Sequence, residues 1–171
     1  MTRDQQATLL TLALMAVAVL LNSTALRFIA IRGVTPDLIL ILLMFLAVRR
    51  GSMSGQVAGF AIGIVEDLAS VAPLGFNALL RTLLGFGGGL LHGYLFMDPF
   101  LLPFLLVTGV GIAKGLLAAL AATAFAVTTD VGPLDVTFWI EVAYTGLLAP
   151  PIFYLLSRLR LLRPSKREAL R

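Results

Sequence analysis

The sequence predicts an all-α polytopic membrane protein, a compact bundle of six transmembrane helices in one integral membrane domain over residues 1–171. Hydrophobic residues make up 59% of the chain and charged residues 13%, against ~25% charged residues in soluble domains. Because one span needs ~20 apolar residues, 171 residues hold about six spans and no sizeable soluble domain. Small residues also recur at every fourth position in three of the apolar segments, as closely packed membrane helices require.

Six apolar segments follow one another along the chain. They are residues 7–26, 36–48, 51 or 55 to 70, 76–96, 100–127, and a last segment that starts between 136 and 140 and ends near 159. Segment two is short, because its 13 residues rise about 20 Å against a hydrocarbon core of ~30 Å. It spans only if Arg49 and Arg50 snorkel or the bilayer thins, and a re-entrant hairpin is the alternative. Pro150 and Pro151 are expected to kink segment six.

The basic residues indicate the orientation of these spans. Nine of them lie on the side of the termini: Arg3, Arg49, Arg50, Arg158, Arg160, Arg163, Lys166, Arg167 and Arg171. Arg27 and Arg32 are the two on the opposite side. Because cytoplasmic loops are enriched in Lys and Arg, both termini are predicted to be cytoplasmic, with residues 27–35, 71–75 and 128–135 outside. The basic tail is therefore a topology signal, and no nucleic-acid partner is predicted.

Segment two has a recognisable beginning and end. Thr35 supplies a hydroxyl for the helix N-cap, Pro36 suits the first helical position, and Asp37 places a carboxylate where the helix dipole favours negative charge. The apolar run then stops at Arg49 and Arg50.

Segment three carries a row of glycines that leads to a carboxylate. Gly51, Gly55, Gly59 and Gly63 recur every fourth residue, and Asp67 is one step further on the same count. Four residues advance about 400° around a helix, so Gly63 and Asp67 share nearly one face. Similar rows occur in segments four and five, at Gly85, Gly89 and Gly93, and at Gly111, Gly115 and Ala119. We expect these rows to pack against each other, and an oligomer or partner face is the alternative.

Ionisable residues inside spans are costly, which makes them candidates for function. They are Glu66, Asp67, Arg81, His92, Lys114 and Glu141. On antiparallel neighbours Asp67 and Arg81 lie at similar depth, which predicts an ion pair near the outer surface that Asn77 could join; a direct contact with a partner or ligand is the alternative. Lys114 needs a counter-charge from Glu141, which we favour, from Glu66, or from a bound anion. His92 is expected to be a hydrogen-bonded histidine near the membrane interface rather than a metal ligand.

The sequence contains no pattern that is typical of an enzyme. It lacks cysteine, its single histidine excludes an HExxH metal site, and its serines and threonines show no nucleophile elbow. The glycine-rich runs at 85–89 and 109–111 lie inside apolar spans with no strand before them, which excludes nucleotide-binding loops. No catalytic residue, cofactor or metal site is therefore predicted.

The chain resembles the MreD family of rod shape-determining membrane proteins. The matching residues are 33–38, 49–51, 59–60, Gly63 with 67–68, and 73–79, with weaker matches at 22–24 and 147–150; together these are spread over residues 22–150 of the chain. The resemblance implies a non-catalytic, multi-pass scaffold in the bacterial inner membrane that belongs to the cell-wall elongation complex, or elongasome. It also implies binding to MreC, a periplasmic coiled-coil protein with one span, and an association with RodA, a class B penicillin-binding transpeptidase and membrane lipids.

The resemblance also selects candidate residues for partner binding or for a structural cluster. They are Pro36, Asp37, Arg49, Gly59, Gly63, Asp67, Leu74, Gly75, Asn77 and Arg81. Segment two, from Thr35 to Arg50, and the outer rim at residues 73–75 are the expected docking surfaces for a partner.

Two other functions are compatible with a small helical membrane protein. The MreD family resembles the six-helix substrate-binding subunits of energy-coupling-factor vitamin transporters, which makes a vitamin-binding subunit the main alternative. Such subunits carry Ala-xxx-Ala in their first helix, and that spacing is absent from segment one here. The second alternative is a proton-coupled permease that uses Glu66, Asp67 and Lys114.

Overall fold

The protein is described by a computed structural model that covers residues 33–70, 73–92, 100–125 and 135–158, together with Ala13, Val17 and Ala30. These residues form five helices: α1 (Leu38–Arg50), α2 (Ser52–Ala69), α3 (Phe76–Leu90), α4 (Leu101–Phe125) and α5 (Val136–Arg158). They correspond to predicted segments two to six, which confirms the all-α class. Segment one lies outside the described residues except for Ala13 and Val17, so the count of six helices stays a prediction.

Within the described ranges, two helices are long and apolar enough to cross a membrane. They are Leu101–Leu120 of α4 and the whole of α5, which runs without a break through Pro150 and Pro151. Only 22% of the apolar stretch in α4 and 33% of that in α5 is buried inside the protein. The core helix of a soluble domain would be mostly buried, whereas helices that face lipid expose apolar side chains.

Helix α1 is the centre of the fold. All ten residues from Ile39 to Val48 are buried, and none is more than 8% exposed, because α1 contacts the other four helices. The expectation that segment two docks a partner stays a prediction, although the side chains of residues 39–48 are covered by the protein itself. Asp37 meets Arg81 at one end of α1, and Val48 meets His92 at the other. Helix α1 thus runs the length of the α2–α3 pair as one continuous helix rather than a hairpin.

The helix start differs from the prediction by two residues. Asp37, rather than Thr35, is the N-cap of α1, and its Oδ1 accepts a hydrogen bond of 2.9 Å from the Leu40 N–H. A carboxylate satisfies this otherwise unpaired N–H and also interacts favourably with the helix dipole, so it is a stronger cap than the threonine hydroxyl. Pro36 consequently precedes the helix, where its carbonyl accepts from the Leu38 N–H.

Helices α2 and α3 form a close antiparallel pair, which confirms the predicted packing for the glycine rows of segments three and four. The row of segment five instead faces α5, where Gly111 meets Val142 and Gly115 meets Phe138. A Cβ atom added to Gly59 would lie 2.6 Å from the carbonyl carbon of Arg81, and one added to Gly63 would lie 2.6 Å from the amide nitrogen of Ala78. No real side chain tolerates such distances to backbone. The glycines therefore allow the two backbones to approach more closely than any other residue would, which maximises dispersion contacts.

The glycine row predicts a strong effect of added bulk. Gly59→Leu and Gly63→Leu should push α3 away and lower the melting temperature in detergent, because overpacking a tight contact costs about 1 to 3 kcal/mol. Gly109→Leu is the matched control, since a Cβ at Gly109 meets nothing within 4 Å. If Gly59→Leu and Gly63→Leu melt like Gly109→Leu, the close α2–α3 contact is absent.

Candidate functional site

Asp37 lies at the centre of a charged network at the end of the bundle where α1 begins. It is 5% exposed, and its Oδ1 accepts from Arg81 Nη2 at 3.1 Å while its Oδ2 accepts from Lys114 Nζ at 2.6 Å. Its backbone N–H donates to Thr145 Oγ1 at 3.0 Å. One residue therefore connects α1 with α3, α4 and α5.

Arg81 extends the network to α2. Its Nε and Nη2 both donate to the carboxylate of Glu66 at 2.7 Å, a bidentate arrangement that fixes the planar guanidinium. Its Nη1 lies 3.1 Å from Asp37 Oδ2, but at an angle that makes no hydrogen bond. The Arg81 side chain is only 6% exposed, so these contacts replace the water that would otherwise solvate its charge.

Lys114 completes the network on the other side of Asp37. Its Nζ also donates to Glu141 Oε1 at 2.9 Å, which confirms the predicted pairing of these two residues. The chain of contacts runs Glu66, Arg81, Asp37, Lys114, Glu141, and joins all five described helices. It contains three carboxylates and two cations.

Asp67 has a different role from the predicted one. Its carboxylate accepts from the backbone N–H groups of Gly75, Asn77 and Ala78 at 2.8, 2.9 and 3.2 Å, and it caps α3 from the neighbouring helix. The predicted ion pair with Arg81 is therefore wrong, and Asn77 contributes its backbone rather than its side chain. The reason is that Gly75, the N-cap of α3, has no side chain, so the first N–H groups of α3 need an acceptor from elsewhere.

The remaining candidates lie away from the network. His92 Nδ1 lies 2.7 Å from the Val48 carbonyl oxygen, which confirms a hydrogen-bonded histidine and ties the far end of α3 to α1. Arg49, in the last turn of α1, stacks over the Phe45 ring at 4.8 Å from its centroid. Leu74 is 75% exposed on the turn before α3, next to Gly75, which has a positive φ of 98°.

Two cavities meet at the network. The first, of about 490 Å³, is called the polar cavity here; it is lined by Gly33, Val34, Thr35, Asp37, Glu66, Asn77, Arg81, Lys114, Asp135, Thr137 and Glu141. The second, of about 150 Å³, is called the apolar slot; it is lined by Asp37, Leu40, Gly111, Lys114, Gly115, Ala118, Phe138, Glu141, Val142 and Thr145. Three residues, Asp37, Lys114 and Glu141, belong to both linings.

The chemistry of the network is mainly structural. Each ionisable residue that the sequence singled out has a partner: Glu66, Arg81, Lys114 and Glu141 pair with charges, while Asp67 and His92 bond to backbone. Sequence reasoning missed Asp37 as a counter-charge because it was assigned only to the helix start. The available signal was that Arg81 and Lys114 are both buried cations that need acceptors, and Asp37 is the carboxylate directly before the most apolar segment.

Comparison with known proteins places the chain in a family. A family model described as rod shape-determining protein MreD matches residues 2–159. No curated protein matches the chain. No solved structure matches it either.

The contacts predict which charged pairs are coupled. In a double-mutant cycle, Glu66→Gln and Arg81→Met should show an interaction energy of about 1 to 3 kcal/mol in unfolding, because each loses a bidentate partner. The matched cycle of Asp67→Asn with Arg81→Met should be additive within about 0.5 kcal/mol, since Asp67 bonds to backbone. A larger coupling for Asp67 than for Glu66 would contradict the observed pairing.

Proposed function

The chain belongs to the MreD family of rod shape-determining membrane proteins, and we propose that it is a non-catalytic scaffold subunit of the bacterial cell-wall elongation (Rod) complex. In this role it binds MreC and supports cell-shape control and peptidoglycan synthesis. RodA and a class B penicillin-binding transpeptidase are its further partners in the same complex. We place it in the inner membrane as a multi-pass protein with both termini in the cytoplasm, on the strength of the basic-residue asymmetry.

The observation that supports a scaffold best is that the buried charged residues pair with one another across helices. Asp37, Arg81 and Lys114 connect helices to one another, and Glu66 and Glu141 hold the outer members of the network. A proton-coupled transport site needs ionisable groups that change partners during each cycle. Here the same groups fix the positions of the helices, as a rigid docking platform requires.

The outer rim is the proposed docking surface for MreC. Leu74 projects from the turn between α2 and α3 with 75% of its surface exposed, and Asp67 fixes that turn through the Gly75 N–H. Because residues 71–75 are predicted to lie outside the membrane on the periplasmic side, a periplasmic partner can reach them. An exposed leucine on a turn that is already held in place costs little ordering entropy when it binds.

The polar cavity is the one observation that favours the alternative, a vitamin-binding subunit of an energy-coupling-factor transporter. Its volume of about 490 Å³ lies within the usual range of ~300–1,000 Å³ for ligand pockets. Native mass spectrometry of the purified chain with and without MreC separates the two functions. A stoichiometric vitamin-sized ligand, an associated ATPase module and no complex with MreC would contradict the scaffold.

The docking surface predicts a selective loss of MreC binding. Leu74→Glu should weaken copurification with MreC by about tenfold or more, because it places a charge in a desolvated apolar contact. Met53→Glu is the matched control, since Met53 is 70% exposed at the opposite end of the α2–α3 pair. Asp67→Asn should retain MreC better than Leu74→Glu, because the amide oxygen still accepts from α3. Equal losses for Leu74→Glu and Met53→Glu would move the docking surface elsewhere.

A further inference from the structure

The charged network carries more negative than positive charge. Glu66, Asp37 and Glu141 supply three carboxylates, Arg81 and Lys114 supply two cations, and the difference is one negative charge. Asp135 adds a further carboxylate to the lining of the polar cavity. Among the described residues no further cation contacts the network, and an unbalanced charge inside a membrane protein is costly, so a cationic ligand would be stabilised here.

The cavity also offers a donor. Arg81 Nη1 is buried and has no hydrogen-bond partner among the described residues, and the Arg81 side chain lines the polar cavity at 6% exposure. Its nearest acceptor, Asp37 Oδ2 at 3.1 Å, makes an ion pair but no hydrogen bond with it, so a ligand with an acceptor oxygen close to its cation fits better than a cation alone. The described residues contain no group of three acidic or histidine side chains arranged for a metal ion. Both facts favour an organic, zwitterionic head group.

The apolar slot extends the site away from the charges. It shares Asp37, Lys114 and Glu141 with the polar cavity and continues between α4 and α5 among small and apolar residues such as Gly111, Ala118 and Val142. A Cβ added at Gly111 would make ordinary contact with Val142 at 3.5 Å, whereas one at Gly115 would lie 2.5 Å from Phe138 Cζ, so Phe138 narrows the slot beside Gly115. The polar cavity and the apolar slot together suit an amphiphile, whose polar head group would lie in the cavity and whose apolar part would enter the slot.

We propose that the polar cavity and the apolar slot together bind one membrane phospholipid whose head group carries a primary ammonium. The ammonium lies among the carboxylates of the network, and a phosphate oxygen accepts from Arg81 Nη1. The first part of one acyl chain enters the apolar slot between α4 and α5. The bound lipid would balance the charge of the network and fill the polar cavity and the apolar slot. This inference is independent of MreC binding.

Native mass spectrometry of the delipidated chain in detergent tests the proposal. The probes are phosphatidylethanolamine, phosphatidylglycerol with the same chains, and soluble phosphoethanolamine. We expect one phosphatidylethanolamine to bind per protein, with an affinity at least about tenfold higher than that of phosphatidylglycerol. We expect no measurable binding of phosphoethanolamine, because it lacks the acyl chain that contributes to binding. Equal binding of the two lipids would overturn the proposal, as would binding of phosphoethanolamine as tight as that of the lipid.

Three variants localise the site. Glu141→Gln removes one carboxylate and Ala118→Leu fills the slot, and each should weaken phosphatidylethanolamine binding by about tenfold. Gly109→Leu adds the same bulk where a Cβ meets nothing within 4 Å, and should bind the lipid like the unmodified chain. Ala118→Leu leaves every charged residue in place, so it tests the site even if Glu141→Gln does not fold. Unchanged binding by a folded Ala118→Leu would show that the lipid lies elsewhere.

Discussion

The Asp37 carboxylate is shared by two cations, and the arrangement of the helices depends on it. Arg81 approaches it from α3 and Lys114 from α4, while its backbone N–H reaches Thr145 on α5. Each cation holds a second carboxylate, Glu66 or Glu141, so neither is left unpaired in the protein interior. Since removing one partner of a buried pair strands the other charge, the five residues act as a unit.

The charges are effective because the helices approach closely. Gly59 and Gly63 bring the backbones of α2 and α3 together, and one turn beyond Gly63 the Asp67 carboxylate reaches the first N–H groups of α3. The same close approach places Glu66 beside Arg81. Packing and electrostatics therefore depend on successive residues of α2. The glycines set the distance between the α2 and α3 backbones, and at that distance the acidic residues that follow them reach their partners on α3.

How much of this the sequence could predict depends on the range of each interaction. The glycine contacts follow from local periodicity, and they were predicted correctly for α2 and α3. The bounds of α2 were close to the prediction, whereas α3 ends at Leu90, before the predicted end of segment four at 96. The pairing of Lys114 with Glu141 followed from the need of a buried cation for a counter-charge.

The role of Asp37 does not follow from local periodicity, because its contacts with Arg81 and Lys114 bridge 44 and 77 positions in the sequence. It could have been inferred only from the need of these two buried cations for acceptors. The error over Asp67 has a related cause. The sequence places both the start of α3 and Arg81 at about the depth of Asp67, so it does not show which of them the carboxylate contacts. The close approach of the two backbones decides in favour of three N–H groups at the start of α3. The burial of α1 was missed because an apolar helix in a membrane protein can face lipid or protein equally well.

If Asp37 holds the helices together, loss of its carboxylate should destabilise the whole bundle. The unfolding free energy of Asp37→Asn in detergent tests this, with Asp135→Asn as the matched control at an exposed carboxylate of the same cavity. We expect a loss of about 2 to 4 kcal/mol for Asp37→Asn, because an amide cannot accept charge-assisted hydrogen bonds from both cations, and less than ~1 kcal/mol for Asp135→Asn. Equal, small losses in the two variants would contradict this role of Asp37.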